Sequence, residues 1–310
     1  MQIYLKQKYH STGKYTCQHR EEGRMYMKLS VEIHVLYKRY GDEKAIEMLK
    51  KAGYDSVDYS FYDLDDTDEV LNEQYQEHAE KVRMLLEKNG MTCNQAHAPF
   101  KLAYGSKFDM SEKEYAKIVR SMEAAAIMGA ENIVVHAITV PTGVDLFAYN
   151  LEFYKSLEPY CEKFGICVAI ENLFCRNKRN PWLHGKLHRP EQLNQMVAAL
   201  NSPWFVVCID VGHAGLTGFE PEDVIRGFDN KTLKALHIHD NDYLDDTHNI
   251  PYAGKFNWDE IMKALKDIGY NGDFTLEVLG YLKKVDDAFM EDALAFCAKT
   301  GRYLMSKMEA

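Results

Sequence analysis

A unit of helix, glycine and strand recurs along this 310-residue chain and constrains its fold more than any other feature. In each unit a helical stretch ends at a glycine, and a short segment rich in Val, Ile, Phe and Thr then runs to a polar residue. The five glycines are Gly53, Gly90, Gly129, Gly165 and Gly269. Because glycine adopts the left-handed conformation most readily, each of them predicts the end of a helix.

Eight apolar strands can be counted when three further segments are added to the five units. These segments cover residues 28–35, 204–210 and 233–239, and helical stretches such as 111–128 lie between the strands. Strands that alternate with helices predict a parallel sheet, and eight is the number that closes a barrel. We therefore predict an α/β protein with the (β/α)8, or TIM, barrel fold. An open doubly wound sheet is the alternative, although no Gly-x-Gly-x-x-Gly motif follows the first strand.

One domain accounts for the patterned part of the chain. No linker or low-complexity tract interrupts residues 28–310, and a barrel of ~250 residues absorbs the surplus length as loops. Residues 1–27 show no hydrophobic periodicity and are predicted to be an N-terminal extension. Because Glu21-Glu22-Gly23 resembles a translated purine-rich ribosome-binding site, we expect the true start at Met25 or Met27.

The charge and the cysteine content exclude several classes of protein. A formal net charge of -10 disfavours nucleic acid as a partner, because polyanions bind to clustered Lys and Arg. No stretch approaches the ~20 consecutive apolar residues of a membrane span. Seven cysteines without a Cys-x-x-Cys pair do not form the pattern of a disulfide framework. We expect Cys93, Cys167 and Cys208 to be buried thiols, and the protein to reside in a reducing cytoplasm.

Polar side chains stand where the predicted strands end. Five strands end at a side chain that titrates or binds metals: His97, His136, Glu171, Asp210 and Glu277. A sixth ends with His237 and His239, which are two residues apart and therefore on one face of the strand. Each residue alone is as readily a helix cap or a loop residue. Because barrel enzymes place their catalytic groups at the carboxyl ends of the strands, recurrence at six strands predicts an active site.

The two glutamates in this set constrain the chemistry. Glu171 and Glu277 each follow an apolar triplet, where an unpaired carboxylate is costly. An ion pair of Glu171 with Arg176 or Lys178 is one way to offset that cost, and a metal ion is the other. Two glutamates, an aspartate and a histidine form an oxygen-rich ligand set, which suits manganese, magnesium or cobalt better than a thiolate-type zinc site.

In this order and on these strands, the motifs of the chain resemble one known group of enzymes. The motifs are His97-Ala-Pro, Ile170-Glu171-Asn172, Asp210-Val-Gly-His213, His237-Ile-His-Asp240, Gly254-Lys-Phe-Asn-Trp258 and Leu276-Glu277. The group is the sugar phosphate isomerase/epimerase family, whose barrels are similar to xylose isomerase and to the endonuclease IV type of apurinic-site nuclease. The resemblance covers residues 28–294 and implies a xylose isomerase-like barrel.

The resemblance also implies roles for individual residues. The implied metal ligands are Glu171, Asp210, His237 and Glu277. Positions that bind substrate oxygens in the epimerases, or metal in the nucleases, correspond to His97, His136 and His213. Two further residues are expected to line the pocket: His239 and Asp58. The implied cofactor is a divalent cation, Mn²⁺ first and otherwise Mg²⁺, Co²⁺ or Zn²⁺; the implied partner is a small sugar or polyol. A homo-oligomer is expected by analogy alone.

The implied reaction is an isomerisation or epimerisation through an enediolate that the metal stabilises. Glu171 and Glu277, on opposite sides of the substrate, serve as acid and base, so that one proton leaves one face and another arrives at the other face. Proton transfer between neighbouring carbons interconverts an aldose and a ketose with the same groups.

Two departures from the ketose epimerases leave the substrate open. After Glu171 the chain reads Asn172-Leu-Phe-Cys-Arg176, where those enzymes resemble one another in an Asn-Arg-Phe-Glu segment. Asp240-Asn241-Asp242 stands where they carry an arginine. We therefore expect the substrate contacts of this chain to differ from theirs.

Asp246-Thr-His248 supports an alternative function, because it resembles the Asp-x-His pair of the endonuclease IV-type enzymes. With this pair the chain holds all nine positions of that trinuclear zinc site, so Asp246 and His248 are additional candidate metal ligands. A zinc phosphodiesterase acting on abasic DNA is one alternative, and a metal-dependent inosose-type dehydratase is another. A binding barrel without turnover is the non-enzymatic alternative, which no residue favours.

Overall fold

Eight parallel strands curve into a nearly closed barrel in the computed structural model. The structure describes residues 27–309 apart from 63, 65–67, 69, 70, 175, 178, 179 and 184–186. The barrel strands are β1 (Leu29–Glu32), β2 (Ser56–Ser60), β3 (Thr92–His97), β4 (Asn132–Val135), β5 (Cys167–Glu171), β6 (Phe205–Asp210), β7 (Leu233–His237) and β8 (Phe274–Leu276). They are hydrogen-bonded in the order β8-β1-β2-β3-β4-β5-β6-β7.

The two outer strands of this order, β7 and β8, meet and close the barrel. Ile238, directly after β7, forms a parallel bridge with Leu276. The backbone N–H of Glu277 donates to the carbonyl of Ile238 at 2.9 Å, and the N–H of Ile238 donates to the carbonyl of Thr275 at 2.9 Å. The predicted (β/α)8 barrel is therefore confirmed.

Helices cover the outside of the barrel and follow the strands in the chain. They are α1 (His34–Tyr40), α2 (Asp42–Ala52), α3 (Tyr75–Lys88), α4 (Lys113–Met128), α5 (Leu146–Phe164), α6 (Pro190–Leu200), α7 (Val211–Leu216), α8 (Pro221–Arg226), α9 (Trp258–Asp267), α10 (Leu279–Leu282), a 3₁₀ turn (Asp287–Phe289) and α11 (Met290–Glu309). An antiparallel pair of short strands, Arg176–Asn177 and Asn180–Leu183, follows β5. None of the described helices is long and apolar enough to cross a membrane.

The glycines that were predicted to end helices all have positive φ angles, between 60° and 99°. Gly129 shows why this matters: at φ 99° its N–H bonds to the carbonyls at the end of α4, and the chain then turns directly into the approach to β4. A residue with a Cβ is strained in this conformation. The glycines therefore set the point at which each helix gives way to the next strand.

Two predicted elements differ from the structure at their ends. The first strand was expected over 28–35, but β1 stops at Glu32 because α1 begins at His34. The seventh was expected to end at His239, whereas β7 ends at His237 and only Ile238 still forms a bridge. Apolar residues continue past both strand ends, so hydrophobicity alone does not mark them. The consequence is that Glu32 also stands at the carboxyl end of a strand.

The interior of the barrel is polar on the side of β1, β2, β3 and β8. Ser30 Oγ donates to Asn94 Oδ1 at 2.7 Å, and Asn94 in turn donates to Thr275 Oγ1 at 3.2 Å. The other side is filled by small apolar residues that form a cluster separate from the main core: Val134, Cys167, Ala169, Val206, Cys208 and Ala235. Buried side chains thus fill the floor of the barrel, and the pocket of the candidate site lies toward the carboxyl ends of the strands.

One cysteine differs from the expectation of free, buried thiols. Cys93 and Cys208 are free and buried, as predicted. Cys167 is also buried, but it is disulfide-bonded. An odd number of cysteines spread over 310 residues does not reveal a single pairing.

Two sequence-based predictions lie outside the described residues. They are the N-terminal extension up to residue 26 and Lys178, which was considered as an ion-pair partner of Glu171. The side chain of Arg176, the other partner considered, is not described either.

Candidate metal and substrate site

The carboxyl ends of the strands surround one open pocket of about 190 Å³, which we call the metal pocket. Its lining residues are Tyr62, His97, Phe100, His136, Glu171, His213, Asp246, His248, Glu277 and Leu279. Seven of these ten were selected from the sequence as site residues. The register of the sheet brings them together, because parallel strands end at the same edge of the barrel.

The four predicted metal ligands converge on one nitrogen atom. Nδ1 of His237 lies 2.8 Å from Glu171 Oε1, 3.4 Å from Glu277 Oε2 and 3.9 Å from Asp210 Oδ2. All four side chains are buried, at 5% exposure or less. Three carboxylates within reach of one imidazole nitrogen form an oxygen-rich set of the kind that divalent cations bind.

The two glutamates of this set have opposite pKa shifts. Burial by itself raises the pKa of Glu171, but His237 and His136 outweigh it and bring the pKa well below its usual range. Burial raises the pKa of Glu277 well above its usual range, against the lowering effect of His237, and the charges of Asp210 and Glu171 add to the rise. Without a cation, the surroundings therefore favour the ionised form of Glu171 and the protonated form of Glu277. Such a split is common where two carboxyl groups divide acid and base roles.

A second group joins the same glutamate to two histidines. Nε2 of His136 lies 2.6 Å from Glu171 Oε2 and 3.0 Å from Nε2 of His97. His97 must donate from Nδ1, because its partner there is the carbonyl of Ala98 at 2.9 Å. In the neutral ring Nε2 then keeps its lone pair, which faces His136 and Glu171. Burial lowers the pKa of His136 to about 4, against the opposing charge of Glu171, so the His136 ring is neutral.

A third group lies on the opposite side of the pocket. Asp246 Oδ2 is 3.1 Å from Nε2 of His248 and 3.7 Å from Nε2 of His213. The Nδ1 atom of His213 donates to the carbonyl of Asn172 at 2.9 Å, so Nε2 is the atom turned toward Asp246. Asp210 Oδ1 accepts from the backbone N–H of His213 at 2.7 Å and ties this group to the central ligand set.

These side chains fit a bound cation. In the second and third groups, and in the set of Glu171, Asp210 and His213 that links them, one ligand atom per residue lies within 4.8 Å of the others. Asp246 Oδ1 and His248 Nδ1 are buried and have no hydrogen-bond partner among the described residues. Buried carboxylates held this close repel one another, and a cation between them removes that cost.

Asp58 and His239 occupy a different place from the one expected. Both are 0% exposed and lie behind the pocket rather than on its surface. Asp58 Oδ2 accepts from Gln95 Nε2 at 2.7 Å and lies 3.4 Å from Nε2 of His237. His239 Nε2 lies 3.0 Å from Asp210 Oδ1. Their side chains therefore contact ligand residues, which is a supporting position and not a substrate-lining one.

His239 also packs tightly against the backbone that follows β6. Its ring stacks on His248, with centroids 4.1 Å apart and planes at 9°. A Cβ placed on Gly212 would come within 1.9 Å of His239 Cε1, so this position has no room for a side chain. Gly212 thus allows the ring of His239 to reach Asp210.

Besides Leu279, which lines the metal pocket from α10, three residues at the site were not identified from the sequence. Tyr62 and Phe100 line the metal pocket from the loops after β2 and β3. Phe100 follows the His97-Ala-Pro motif directly, and its 46% exposure is unusual for such a residue. Glu32 ends β1, and its carboxylate accepts from the backbone N–H of His34 at 2.5 Å. A strand end placed correctly at Glu32 would have added it to the set of strand-end polar residues.

Comparison with known proteins places this geometry in context. The sequence profile of the family described as "Xylose isomerase-like TIM barrel" matches residues 46–299. An uncharacterized protein of Methanocaldococcus jannaschii is 28% identical over 191 residues, which are 58% of this chain and 62% of that protein. Fructoselysine 3-epimerase of Escherichia coli O157:H7 is 28% identical over 130 residues, which are 41% of this chain and 44% of that enzyme. The chain thus matches less than two thirds of the length of these relatives.

A solved structure shows the same fold over nearly the whole chain. The crystal structure of D-psicose 3-epimerase in the presence of D-fructose superposes with a TM-score of 0.69 at 20% identity. The superposition covers 90% of this chain and 99% of that one. At this level of identity the likeness concerns the fold.

Proposed function

Because this chain belongs to the family of xylose isomerase-like TIM barrels, we propose that it is a divalent-metal-dependent isomerase or epimerase of a sugar or sugar phosphate. One observation carries this proposal: Glu171, Asp210 and Glu277 converge on Nδ1 of His237 at the edge of an open pocket. Both glutamates also line the metal pocket, so each reaches a substrate as well as a cation. We place the catalytic domain over residues 28–310.

The positions of the glutamates suit proton transfer at two faces of a substrate. Glu171 ends β5 and Glu277 follows β8, three strands further along the barrel. A cation held by these side chains supplies Lewis-acid polarisation of a substrate carbonyl, which acidifies the neighbouring C–H bond. One glutamate then removes a proton from this carbon, and the other returns a proton to the opposite face. Return to the neighbouring carbon instead gives an isomerisation.

The histidines around the pocket support the orientation of the substrate. His97, His136 and His213 line the metal pocket, and the Nδ1 atoms of His97 and His213 are held by backbone carbonyls. A neutral imidazole can both donate to and accept from a sugar hydroxyl, whereas the pKa of about 10 makes His213 a donor. A polyhydroxylated substrate therefore finds polar partners around the reacting carbon.

The relatives support a small sugar as the substrate class. One similar enzyme is a fructoselysine 3-epimerase, and one similar structure is a D-psicose 3-epimerase studied with D-fructose. Both names describe epimerisation at carbon 3 of a ketose skeleton. The net charge of -10 is consistent with this class and disfavours a nucleic-acid partner.

Metal content and solvent exchange test the proposal. Protein purified without chelator or affinity nickel is analysed by plasma mass spectrometry, and we expect about one Mn²⁺, Co²⁺ or Mg²⁺ per chain. The protein loaded with Mn²⁺ is then incubated with ketoses in deuterated water. Deuterium at the carbon next to the carbonyl, followed by the epimer or the aldose, supports the proposal. Loss of one water from the substrate indicates the inosose-type dehydratase instead.

A second candidate function rests on a specific observation. His213, Asp246 and His248 each offer a ligand atom within 4.8 Å of the others, beside the similar set of His97, His136 and Glu171, and this favours more than one metal ion. Such a site suits a zinc phosphodiesterase that acts on abasic DNA. Two or three zinc ions per chain, with cleavage of an abasic oligonucleotide and no exchange on ketoses, supports this function and overturns the sugar enzyme.

A further inference from the structure

A second cavity, of about 290 Å³, opens beside the metal pocket and is called the side cavity here. It lies between the loops that follow β3 and β4, and side chains of α4 and α5 form its back. Leu102 and Ile138 line it from the loops, and Ile118 and Phe153 line it from the helices. These four apolar residues are nearly fully buried, whereas Phe100 and Tyr104, which also line the cavity, are each 46% exposed; the proposed chemistry uses none of them.

The side cavity and the metal pocket share two residues, Phe100 and His136. The Phe100 ring stacks on the His136 ring, with centroids 4.8 Å apart and planes at 20°. It also meets the ring of His97 edge-on, with centroids 5.9 Å apart. The two spaces therefore lie on either side of one aromatic pair, so a ligand bound at Glu171 and Glu277 has the side cavity next to it.

The two spaces differ in charge. The metal pocket is lined by three carboxylates and four histidines. None of the described residues that line the side cavity is Asp, Glu, Lys or Arg, and nine of the eleven are Pro, Ala, Leu, Ile, Phe or Tyr. A ligand that fills both spaces thus has an oxygen-rich end and an uncharged, apolar end.

The sizes of the two spaces support a ligand that occupies both. The metal pocket alone, at about 190 Å³, is smaller than the ~300–1,000 Å³ of most small-molecule sites. The metal pocket and the side cavity taken together fall within that range. A bare sugar would leave the exposed rings of Phe100 and Tyr104 in contact with water.

We propose that the substrate of this chain is a sugar with an apolar, uncharged substituent, about the size of a phenyl ring, that the side cavity binds. The inference rests on the proposed function, since the sugar end is assigned to the metal pocket. The substituent is attached at the end of the sugar remote from the carbonyl. The oxygens next to the carbonyl are needed at Glu171 and Glu277, and the side cavity begins only beyond Phe100.

Paired substrates test the side cavity directly. D-fructose and its 6-O-benzyl ether are compared on the Mn²⁺-loaded protein, by solvent deuterium exchange and by calorimetric binding. We expect kcat/KM for exchange to be at least ~10-fold higher for the benzyl ether, and its Kd to be lower by a similar factor, because an aromatic ring leaves water. Equal values for the two sugars, in both exchange and binding, overturn the inference.

A matched pair of variants locates the effect. Thr139 lines the side cavity, and Thr142, three residues later in the same loop, is exposed and does not line it. Thr139→Trp fills the cavity and is expected to remove the preference for the benzyl ether. The Kd of D-fructose divided by that of the benzyl ether should fall at least ~10-fold, and so should the kcat/KM of the benzyl ether divided by that of D-fructose. Thr142→Trp is expected to leave both ratios unchanged. The inference is overturned if the preference survives Thr139→Trp.

The two measurements separate this inference from the proposed function. If both sugars exchange deuterium equally well, the proposed epimerase or isomerase function is supported, and the side cavity has no role in substrate binding. Tighter binding of the benzyl ether, lost in Thr139→Trp but without exchange on either sugar, supports the side cavity and counts against the proposed reaction. If the protein neither binds the two sugars nor exchanges deuterium into them, the inference and the proposed function are both overturned.

Discussion

The carboxylate of Asp58 stands directly behind the histidine of the candidate metal site, with Oδ2 at 3.4 Å from Nε2 of His237. The other ring nitrogen, Nδ1, faces Glu171 at 2.8 Å. Asp58 is held in this position by the amide of Gln95, which donates to the same oxygen at 2.7 Å. A histidine that donates one N–H to a carboxylate presents the other nitrogen to a metal in a fixed orientation and with greater basicity.

The first prediction follows from this contact. Asp58→Asn removes the negative charge behind His237 and keeps the size of the side chain, so we expect the Kd for Mn²⁺ to rise by about 10- to 100-fold. Calorimetric titration of chelator-treated protein measures the change. Asp55→Asn is the matched control, because Asp55 precedes the same strand at its opposite end and bonds to Arg302 at 2.7 Å. An unchanged Kd in Asp58→Asn would remove Asp58 from any role at the metal.

The second prediction concerns the separate acid and base roles of the two glutamates. Glu171→Gln and Glu277→Gln are each expected to slow overall epimerisation by about 10²- to 10⁴-fold, the usual contribution of an acid or base. Each variant keeps one base, so it should still exchange deuterium into one epimer and lose exchange into the other. The two variants should show opposite patterns, which mass spectrometry of the recovered sugars reads out.

Two controls accompany these variants. Their metal content is compared with that of the wild type, because both glutamates are also candidate ligands. Glu222→Gln tests the loss of a buried glutamate elsewhere, since Glu222 lies on α8 and does not line the metal pocket. If both active-site variants lose exchange into both epimers while keeping the metal, the two-base mechanism is wrong.

The strand ends and the family resemblance together predicted the members of the central ligand set, and each of them ends a strand or directly follows one. Glu171 and Asp210 could be placed there from the short apolar runs before them, and the barrel then brings all strand ends to one face. The position of Asp58 could not be predicted in the same way. The pairing of β2 with β3 shifts between Val57 and Asp58, and this irregularity decides that Asp58 lies beside Gln95.

Loop residues that line the pocket were also not predicted from the sequence. Phe100 and Tyr62 reach the pocket from loops whose paths depend on tertiary contacts, such as the stacking of Tyr62 on His34 at 4.6 Å. No spacing rule links a loop residue to a pocket several strands away. The side cavity could not be predicted from the sequence either, because two loops and two helices together form its walls.

The third prediction is that metal binding releases protons. Burial by itself lowers the pKa of His237, but the nearby Cys208, Glu277 and Glu171 outweigh it and raise the pKa well above its usual value. His237 without a cation therefore carries a proton at neutral pH, and a cation at Nδ1 must displace it. We expect at least about one proton released per cation, measured as the dependence of the calorimetric enthalpy on buffer ionisation.

A variant of His213 shows whether the third ligand group takes part. Burial lowers the pKa of His213, but Asp210 and Asp246 outweigh this effect and raise it to about 10. If only the central set binds the cation, His213 keeps its proton and His213→Gln leaves the proton count per cation unchanged. A lower count in this variant indicates that the His213, Asp246 and His248 group also binds metal. A titration with no buffer dependence in the wild type would contradict the proton displacement itself.

The fourth prediction concerns Glu32 and the pH dependence of stability. Burial, and then the charge of Asp58, raise the pKa of Glu32 to about 8, so its carboxyl is protonated in the folded protein at neutral pH. In the unfolded chain a glutamate titrates near ~4.3. A carboxyl whose pKa is higher when folded stabilises the protein fully below the unfolded pKa, and this contribution is lost as pH rises toward about 8.

Glu32→Gln removes this titration, since the amide is neutral at every pH. Relative to the wild type, its free energy of unfolding should therefore rise between about pH 5 and pH 8, by up to ~1.4 kcal/mol per pH unit. Urea unfolding with a chelator present measures the difference without a contribution from bound metal. Glu47→Gln, an exposed position on α2, is the control and should give a difference that does not vary with pH. Parallel curves for Glu32→Gln and the wild type would show that Glu32 is ionised in the folded protein, and that its hydrogen bond from the backbone of His34 offsets its burial beside Asp58.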